Sequence, residues 1–545
     1  MKQIDIIKAY GQKRCLVVEV NPDMRADLKR NLVDFGSTNV DTAGHASEAI
    51  DLCQRHQYDI VLADYDLGKG QTGQQLLEEL RFQGLLKNTA IFFMISSEMA
   101  VQHVVYAIEY QPDDYVSKPI NRENLRPRLD AALMRNEALK DVKKALDQRR
   151  PRSAIAACQD VVHEGGKFQN DAKKLLGELL CQQGMYDEAI LLFDAMPANS
   201  RPLWAGVGLA KALIGLKELD KAEAVLKNII AENEYCVEAH DTLSKVYQAK
   251  NKFDQAQQAL ITAVNISPIS ANRQREMGRV CLASGDKNAA AHAYRAAIKY
   301  SKNSCQESSE DFTNLAGTLS DLIIEQKNPE LATEAFEAVQ YADKKYGRQP
   351  VVQMRLQLVN ADIYEHIGDE ENADKANRKA LEVFSELNFS VVENTSTQLC
   401  IDCAKAFMAR GKYDEGERLL QEVAKLNNNN DLAIQIDKLL REPLTKEGIA
   451  FAAKLNKQGI GFHKQNKFDD AIRSFQNVLQ ELPNHIGLNL NLIQTLLTKS
   501  KETTLKEKEL KLMESCFQRV GALRESSPYQ ERFDYLEKRF NRLKS

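Results

Sequence analysis

Two hydrophobic patterns divide the chain near residue 137. Before this point, short apolar runs of strand length alternate with amphipathic stretches such as GQQLLEELRFQG and EMAVQHVVYAIEY. The runs are CLVVEV (15–20), NVDTA (39–43), YDIVLAD (58–64), AIFFMIS (90–96) and DDYVSK (113–118). Parallel strands need crossover connections, and the helix in each β-then-α unit supplies one. The pattern therefore predicts an α/β domain, a five-stranded parallel sheet with helices on both faces.

After residue 137 the strand pattern disappears and an internal repeat begins. Small and large apolar positions recur there with spacings of 33, 34 and 34 residues. The small positions are Gly177, Ala210, Ser244 and Gly278, then Ala189, Ala222, Ala256 and Ala290; the large ones are Phe193, Leu226, Leu260 and Tyr294. Small residues let two helices approach closely, and no such unit buries its apolar face alone. The period predicts stacked helix pairs.

These positions resemble the tetratricopeptide repeat, and the resemblance covers most of residues 171–500. The best match is LNKQGIGFHKQNKFDDAIRSFQNVLQELP, which carries Gly459, Phe462, Ala471 and Phe475 at repeat positions. The resemblance implies an all-α superhelix that binds a protein ligand. We predict an α/β domain at 1–137, a helical linker or degenerate first repeat at 138–170, repeats at 171–500 and charge-rich capping helices at 501–545.

Composition narrows the partners and the compartment. The 545 residues are 43% hydrophobic and 28% charged, with a net charge of −4, so no nucleic acid partner is expected. No run approaches the ~18 apolar residues of a membrane span. We expect a cytoplasmic protein without a membrane partner. Among ten cysteines only Cys400 and Cys403 are closely spaced, which is a weaker indication of zinc than of two buried helix residues.

Four chemically useful side chains stand at predicted strand ends. Glu19 ends the first strand, Asp64 the third, Ser96 the fourth and Lys118 the fifth. Ligands bind at the carboxyl ends of strands in open α/β sheets, so these groups should meet at one edge. A carboxylate can accept a phosphoryl group, Mg²⁺ can neutralise that group, and lysine and hydroxyl can bind the product. The set predicts a phosphoryl-accepting site at Asp64.

The segments LVVEVNPDMR, YDIVLADYDL, FFMISSE and DDYVSKPI resemble the receiver domain of two-component response regulators. The resemblance implies a flavodoxin-like fold and a histidine kinase or phosphotransfer protein as partner. It also implies roles for individual residues. Asp64 is the phospho-acceptor, Ser96, Lys118 and Tyr115 are the phosphate-binding and switch residues, and Glu19, Asp64 and the backbone carbonyl of Asp66 are Mg²⁺ ligands.

Two departures from the receiver pattern keep a second interpretation open. Val20 replaces the second acid of the usual pair, and Gly68 stands where a proline is usual. The loss of a carboxylate favours the alternative of a phosphorylation-independent scaffold with a pseudo-receiver domain. Tyr115 has its own alternative, simple packing beside a strand end. No residue cluster in the helical region indicates an enzyme.

The first helices of the regular repeats carry a candidate ligand surface. Lys245, Arg275 and Arg279 fall at matching levels of adjacent first helices, near Asp241. We interpret them either as a solvated charged face or as a basic stripe that holds an acidic segment of a partner protein. Because exposed charges contribute little to stability, replacing Arg275 and Arg279 together by Ala should leave thermal stability nearly unchanged, and if they form the stripe it should weaken capture of the partner.

Overall fold

The computed structural model describes residues 10–68, 70–97, 111–197, 201–427, 430–521, 523 and 527–544. The helix predicted from EMAVQHVVYAIEY, at 98–110, lies outside these residues. The chain divides into two compact units, residues 1–318 and 319–545, which are described separately.

The first unit begins with a parallel sheet that confirms the predicted fold class. Its strands are β1 Arg14–Val18, β2 Asn39–Ala43, β3 Ile60–Asp64, β4 Ile91–Ser96 and β5 Asp114–Ser117, in the order β2-β1-β3-β4-β5. Every strand pair is parallel, and Asp64 is level with Ile95 of β4. Consequently the carboxyl ends of β1, β3, β4 and β5 share one edge of the sheet.

Helices cover both faces of this sheet. They are α1 Pro22–Asp34, α2 Ala46–Arg55, α3 Gly73–Phe82 and α4 Arg122–Ala138. Alternate residues of the buried strands point to opposite faces. On one face Cys15 and Val17 pack with Leu28 of α1 and Leu125 of α4. On the other face the strands pack against α2 and α3.

The rest of the first unit is helical. Its helices are α5 Lys140–Asp147, α6 Pro151–Glu164, α7 Gln169–Gln182, α8 Tyr186–Asp194, α9 Leu203–Gly215, α10 Leu219–Glu232, α11 Val237–Ala249, α12 Phe253–Ile266, α13 Ala271–Ser284, α14 Lys287–Ser301 and α15 Ser309–Gln326, which contains the boundary between the units. The first helices α7, α9, α11 and α13 begin 34 residues apart, which matches the sequence period.

Glycines in these repeats face large side chains of the partner helix. A Cβ on Gly177 would overlap the Phe193 ring, and one on Gly278 would overlap the Tyr294 ring. Both rings are buried. The small and large positions that recur along the sequence are therefore the contact points between paired helices, as the close approach of backbones requires.

The second unit is helical throughout its described residues. Its helices are α16 Glu330–Tyr346, α17 Pro350–His366, α18 Glu370–Ser385, the 3₁₀ helix Phe389–Asn394, α19 Thr397–Ala409, α20 Tyr413–Leu426, α21 Asn430–Asp437, α22 Lys446–Lys464, α23 Phe468–Glu481, α24 Ile486–Lys499, α25 Glu507–Val520 and α26 Gln530–Lys544. The Gly459 and Phe475 pair repeats the packing seen in the first unit. Met513 and Phe540 bring α25 and α26 into one buried core with α24.

The structure shows where the closely spaced cysteines lie and whether a described helix could span a membrane. Cys400 and Cys403 are both buried in α19, where the Cys403 thiol donates to the carbonyl oxygen of Val351 at 3.8 Å. No described helix combines the length and apolarity that crossing a bilayer requires.

Candidate functional site

Two carboxylates and one ammonium group meet at the carboxyl edge of the sheet. Lys118 Nζ lies 2.5 Å from Asp64 Oδ2 and 2.9 Å from Glu19 Oε2. Both acids are almost fully buried. One positive charge thus pairs with two negative charges that are shielded from water, which leaves the cluster with a net negative charge.

This imbalance changes the proton affinity of the predicted phospho-acceptor. Burial raises the pKa of Asp64 to about 6, the charge of Glu19 adds to the rise, and Lys118 opposes it. Burial acts to lower the pKa of Lys118, but its hydrogen bonds to Asp64 and Glu19 outweigh that effect and raise it. Near pH 7, Asp64 is therefore mainly an anion beside a protonated lysine, the state that a nucleophilic carboxylate needs.

Local structure fixes Glu19 at the end of β1. Its Oε1 accepts a hydrogen bond of 2.9 Å from the backbone N–H of Asn21, and the Asn21 side chain caps α1. Arg25 Nη1 donates to the carbonyl oxygen of Glu19 at 2.6 Å. Sequence reasoning missed Asn21 and Arg25. The Asn-Pro pair at the start of α1, a typical helix-start signal, could have identified Asn21.

Gly73 brings the start of α3 against the phospho-acceptor strand. A Cβ at this position would overlap the backbone carbonyl of Asp64, and the Gly73 N–H donates to the Tyr65 carbonyl at 2.8 Å. Gly73 had no role among the sequence-based predictions. Its signal was only a glycine where a polar loop meets an amphipathic pattern.

Of the two remaining predicted residues, Ser96 lies at this edge, whereas Tyr115 lies within β5, opposite Met94 and one level before Asp64. Ser96 is buried and stands one residue beyond the Asp64 level on β4, while the backbone N–H of Lys118 donates to its carbonyl at 2.8 Å. Tyr115 is half-buried and packs against the apolar cluster beneath α2 and α3. The assigned roles of Ser96 and Tyr115 stay predictions.

The residues suited to Mg²⁺ are fewer than in the usual receiver pattern. The Glu19 and Asp64 carboxylates both contact Lys118, and proteins usually bind Mg²⁺ with one or two carboxylates. The Asp66 carboxylate accepts from the Gly68 N–H at 3.0 Å, within its own loop. Val20 is 44% exposed beside Gly68. Across the described residues no three acidic, histidine or cysteine side chains are grouped as metal ligands.

The candidate stripe in the repeats borders a cavity of about 460 Å³. Arg275 forms two short contacts with Asp311, at 2.6 and 2.7 Å, and its side chain is 15% exposed. Arg279 is more exposed and lies 3.5 Å from Glu276. Lys245 is exposed and has no ion pair within the described part of the chain. Arg275 is therefore not a solvated charge.

Helix α3 connects the carboxyl edge of the sheet with this cavity. Its buried Glu78 accepts a hydrogen bond of 2.5 Å from Gln306 Nε2, in the loop between α14 and α15. The backbone carbonyl of Gln306 accepts from Arg275. Gln75 of α3 also donates to the Lys302 carbonyl, at 3.4 Å. A continuous set of contacts thus runs from Asp64 through α3 to Arg275.

Comparison with known families separates the two parts of the chain. Residues 15–130 match the response regulator receiver domain. This part of the chain is a receiver domain. Residues 140–202 match the tetratricopeptide repeat, and this match begins inside the segment 138–170. The two family matches thus cover separate segments, a receiver domain and tetratricopeptide repeats.

One protein relative and two solved structures illustrate what the two parts of the chain are similar to. The chemotaxis protein CheY-3 of Vibrio cholerae is 26% identical over 117 residues, which are 22% of this chain and 88% of that protein. A CheY-like receiver domain protein of Methanospirillum hungatei is 22% identical with a TM-score of 0.21, covering 23% of this chain and 96% of its own. A tetratricopeptide-repeat protein of Thermus thermophilus, TTC0263, is 17% identical with a TM-score of 0.29, covering 34% and 98%.

Proposed function

We propose that this chain is a phosphorylated response regulator that signals through protein binding by its repeats. A histidine kinase or a phosphotransfer protein is the proposed donor, and Asp64 the acceptor. The observation that carries the proposal is the convergence of Asp64 and Glu19 on Lys118, with distances of 2.5 and 2.9 Å. A carboxylate beside one shared cation combines nucleophile and phosphate-binding charge.

In the proposed transfer the protein forms a single covalent bond. A carboxylate oxygen of Asp64 forms a bond to phosphorus as the phosphorus–nitrogen bond of a phosphohistidine breaks. The imidazole nitrogen leaves with the electron pair and takes up a proton. Lys118 then faces the added negative charge, and the Ser96 hydroxyl is the proposed hydrogen-bond donor to the phosphoryl oxygens.

Mg²⁺ is the proposed cofactor. Glu19, Asp64 and the backbone carbonyl of Asp66 would hold it, and when bound it neutralises charge on the transferring phosphoryl group. Val20 leaves this set one carboxylate short, so we expect weak affinity. Asn21 and Arg25 position the Glu19 carboxylate and its backbone without touching the phosphoryl group.

The route from phosphorylation to output is proposed to run through α3. The added phosphoryl group lies at the end of β3, against which Gly73 packs, and α3 contacts the repeat loop through Glu78 and Gln306. Tyr115, within β5, and Ser96, at the end of β4, are the proposed switch residues. Since Gln306 also binds Arg275, movement of α3 would reach the cavity that Lys245, Arg275 and Arg279 border.

The ligand of that cavity is proposed to be an acidic segment of a partner protein. Lys245 is exposed, has no ion pair among the described residues and gives the main attraction, whereas Arg275 and Arg279 already have acidic neighbours. We keep the predicted boundaries of the receiver, linker, repeats and capping helices as part of this proposal. Signalling, not catalysis of a substrate, is the proposed task of the whole chain.

The second candidate is a scaffold that binds proteins without phosphorylation. One observation favours it, the exposed Val20 where the usual pattern has a Mg²⁺-binding acid. In that case the net negative charge around Asp64 and Glu19 would have no role in phosphoryl transfer. Helix α3 would only join the receiver domain to the repeats.

Incubation with acetyl phosphate and Mg²⁺ separates the two candidates. Intact-mass spectrometry of the full chain should show one added phosphoryl group, which hydroxylamine removes. Asp64→Asn should show none, while Asp66→Asn, a change to a neighbouring exposed acid, should retain it. Equal labelling of wild type and Asp64→Asn, or no labelling of wild type, would favour the scaffold.

A further inference from the structure

A second charged cavity lies at the opposite edge of the receiver sheet. Its volume is about 280 Å³, and it is bordered by α3, α4, α5, α7 and the starts of β4 and β5. Asp113 precedes β5 at this edge, whereas Lys118 follows the end of the same strand. The cavity is therefore separate from the proposed phosphorylation site.

Positive charges outnumber negative ones around this cavity. The cations are Arg81, Lys87, Arg135, Lys143 and Lys174; the anions are Asp113, Asp171 and Glu178. The surplus is two positive charges. Asp113 is shared, since it accepts from Arg135 at 3.0 Å and from the Phe92 backbone N–H at 2.9 Å.

Lys143 is largely buried and has one long ion pair. Its side chain is 14% exposed, and its ion-pair partner is Asp113 at 3.8 Å. Within the described part of the chain its ammonium group makes no hydrogen bond. Burial lowers the pKa of Lys143, Asp113 and Asp147 partly oppose this, and Arg135 and Arg81 lower it further. A largely buried cation beside two other cations is incompletely neutralised by these two acids, so a further anion would stabilise it.

Firm contacts hold the walls of the cavity in place. Asp147, at the end of α5, accepts from the Asn88 backbone N–H at 2.7 Å, from the Asn88 side chain at 2.9 Å and from Thr89 at 3.1 Å. These bonds fix α5 against the loop before β4. The cavity exists before any ligand arrives, so binding needs little rearrangement.

We propose that this cavity binds a phosphate-type dianion, either free orthophosphate or a small phosphomonoester. A dianion matches the surplus of two positive charges, and Lys143, Lys174 and Arg135 supply N–H donors from α5, α7 and α4. Because the ligand would contact both the receiver and the first repeat helices, its binding would stabilise their junction.

Isothermal titration of the full-length protein tests the proposal, with orthophosphate and glycerol 3-phosphate as probes at constant ionic strength and without Mg²⁺. Both titrations should saturate for wild type. Lys143→Gln should weaken binding about tenfold, the value of one charge-assisted hydrogen bond. Lys118→Gln removes the cation at Asp64, and Lys511→Gln removes a 71% exposed lysine elsewhere. Each should change the Kd less than twofold.

The two probes also distinguish the sources of the anion. Tighter binding of orthophosphate identifies the free ion, and tighter binding of glycerol 3-phosphate identifies an ester; both support the site. If Lys143→Gln does not fold, Lys174→Gln on the opposite wall replaces it, with the same expected direction. The proposal is overturned if wild type shows no saturable binding up to about 10 mM. It also fails if Lys118→Gln abolishes binding and the cavity variants retain it.

Discussion

The edge of the sheet at Asp64 and the repeat cavity at Arg275 are both rich in charge, yet they balance it differently. At the sheet edge, Asp64 and Glu19 share Lys118. In the cavity, Arg275 has Asp311 and Arg273 has Asp241, at 2.6 and 2.8 Å. An unbalanced cluster retains affinity for a further charged group, whereas a balanced pair contributes mainly to the fold. At these two sites the net charge of the cluster, and not the mere presence of charged residues, distinguishes a candidate reactive site from a structural contact.

The largest expected effect breaks a balanced pair. Arg275→Ala leaves the Asp311 carboxylate, which is 1% exposed, without its cation. Removing one partner of a buried pair costs about 3–5 kcal/mol of unfolding free energy. Arg279→Ala is the matched control, because that side chain is 47% exposed and should cost at most about 1 kcal/mol. Urea unfolding of the full chain measures both, and similar losses would mean that Arg275 is not structurally distinct.

A smaller effect is expected from crowding the start of α3. Gly73→Ala places a methyl group against the Asp64 carbonyl, so α3 must shift. Overpacking of this kind costs about 1–3 kcal/mol, and the rate of labelling by acetyl phosphate should fall as well. Gly461→Ala is the control, since a Cβ there meets open space within a helix and should stabilise by about 0.5–1 kcal/mol. Unchanged stability and labelling of Gly73→Ala would contradict the proposed contact.

Relieving the unbalanced cluster should stabilise the protein. The folded pKa of Asp64, about 6, lies above its ordinary value of 3.8. The folded state therefore binds more protons between about pH 4 and pH 6, and stability falls as the pH rises through this window. At pH 7, Asp64→Asn should gain about 1–2 kcal/mol, whereas at pH 4 the gain should vanish. Thermal unfolding at the two pH values checks this, and a loss of stability at pH 7 would show that Lys118 outweighs Glu19.

The smallest expected effect concerns the missing carboxylate. Val20→Asp adds a hard oxygen ligand near Glu19 and should tighten Mg²⁺ binding about tenfold. Val20 is 44% exposed, so stability in the absence of metal should change little. Val33→Asp, on the exposed face of α1, adds the same charge away from the site and should leave Mg²⁺ affinity unchanged. Equal affinities of Val20→Asp and wild type would mean that another group already fills this position.

Strand ends and repeat positions could be predicted from the sequence because each depends on a regular pattern of apolar residues along the chain. Alternating β and α patterns predict parallel strands, and parallel strands bring Glu19, Asp64 and Lys118 to one edge whatever their sequence separation. The repeat period likewise predicts stacked helix pairs with small residues where the helices approach closely. In both cases local patterns and a general packing rule are sufficient.

Contacts between unlike elements could not be predicted in this way. Glu78 and Gln306 are 228 residues apart and follow no period. Asp311, the partner of Arg275, lies in a segment that fits the repeat pattern poorly. The pairing of Arg275 depends on where that irregular helix packs, and so does its burial. A basic stripe inferred from first helices alone misses the acids that face it.

The central claim is that Asp64 itself carries the phosphoryl group, and reductive trapping tests this most directly. Borohydride reduces an aspartyl phosphate to homoserine, which peptide mass spectrometry assigns to one position. After incubation with acetyl phosphate and Mg²⁺, the account predicts homoserine at position 64, and none when acetyl phosphate is omitted. Homoserine at another aspartate, or its absence from position 64 in a protein that has gained phosphoryl mass, would contradict the account.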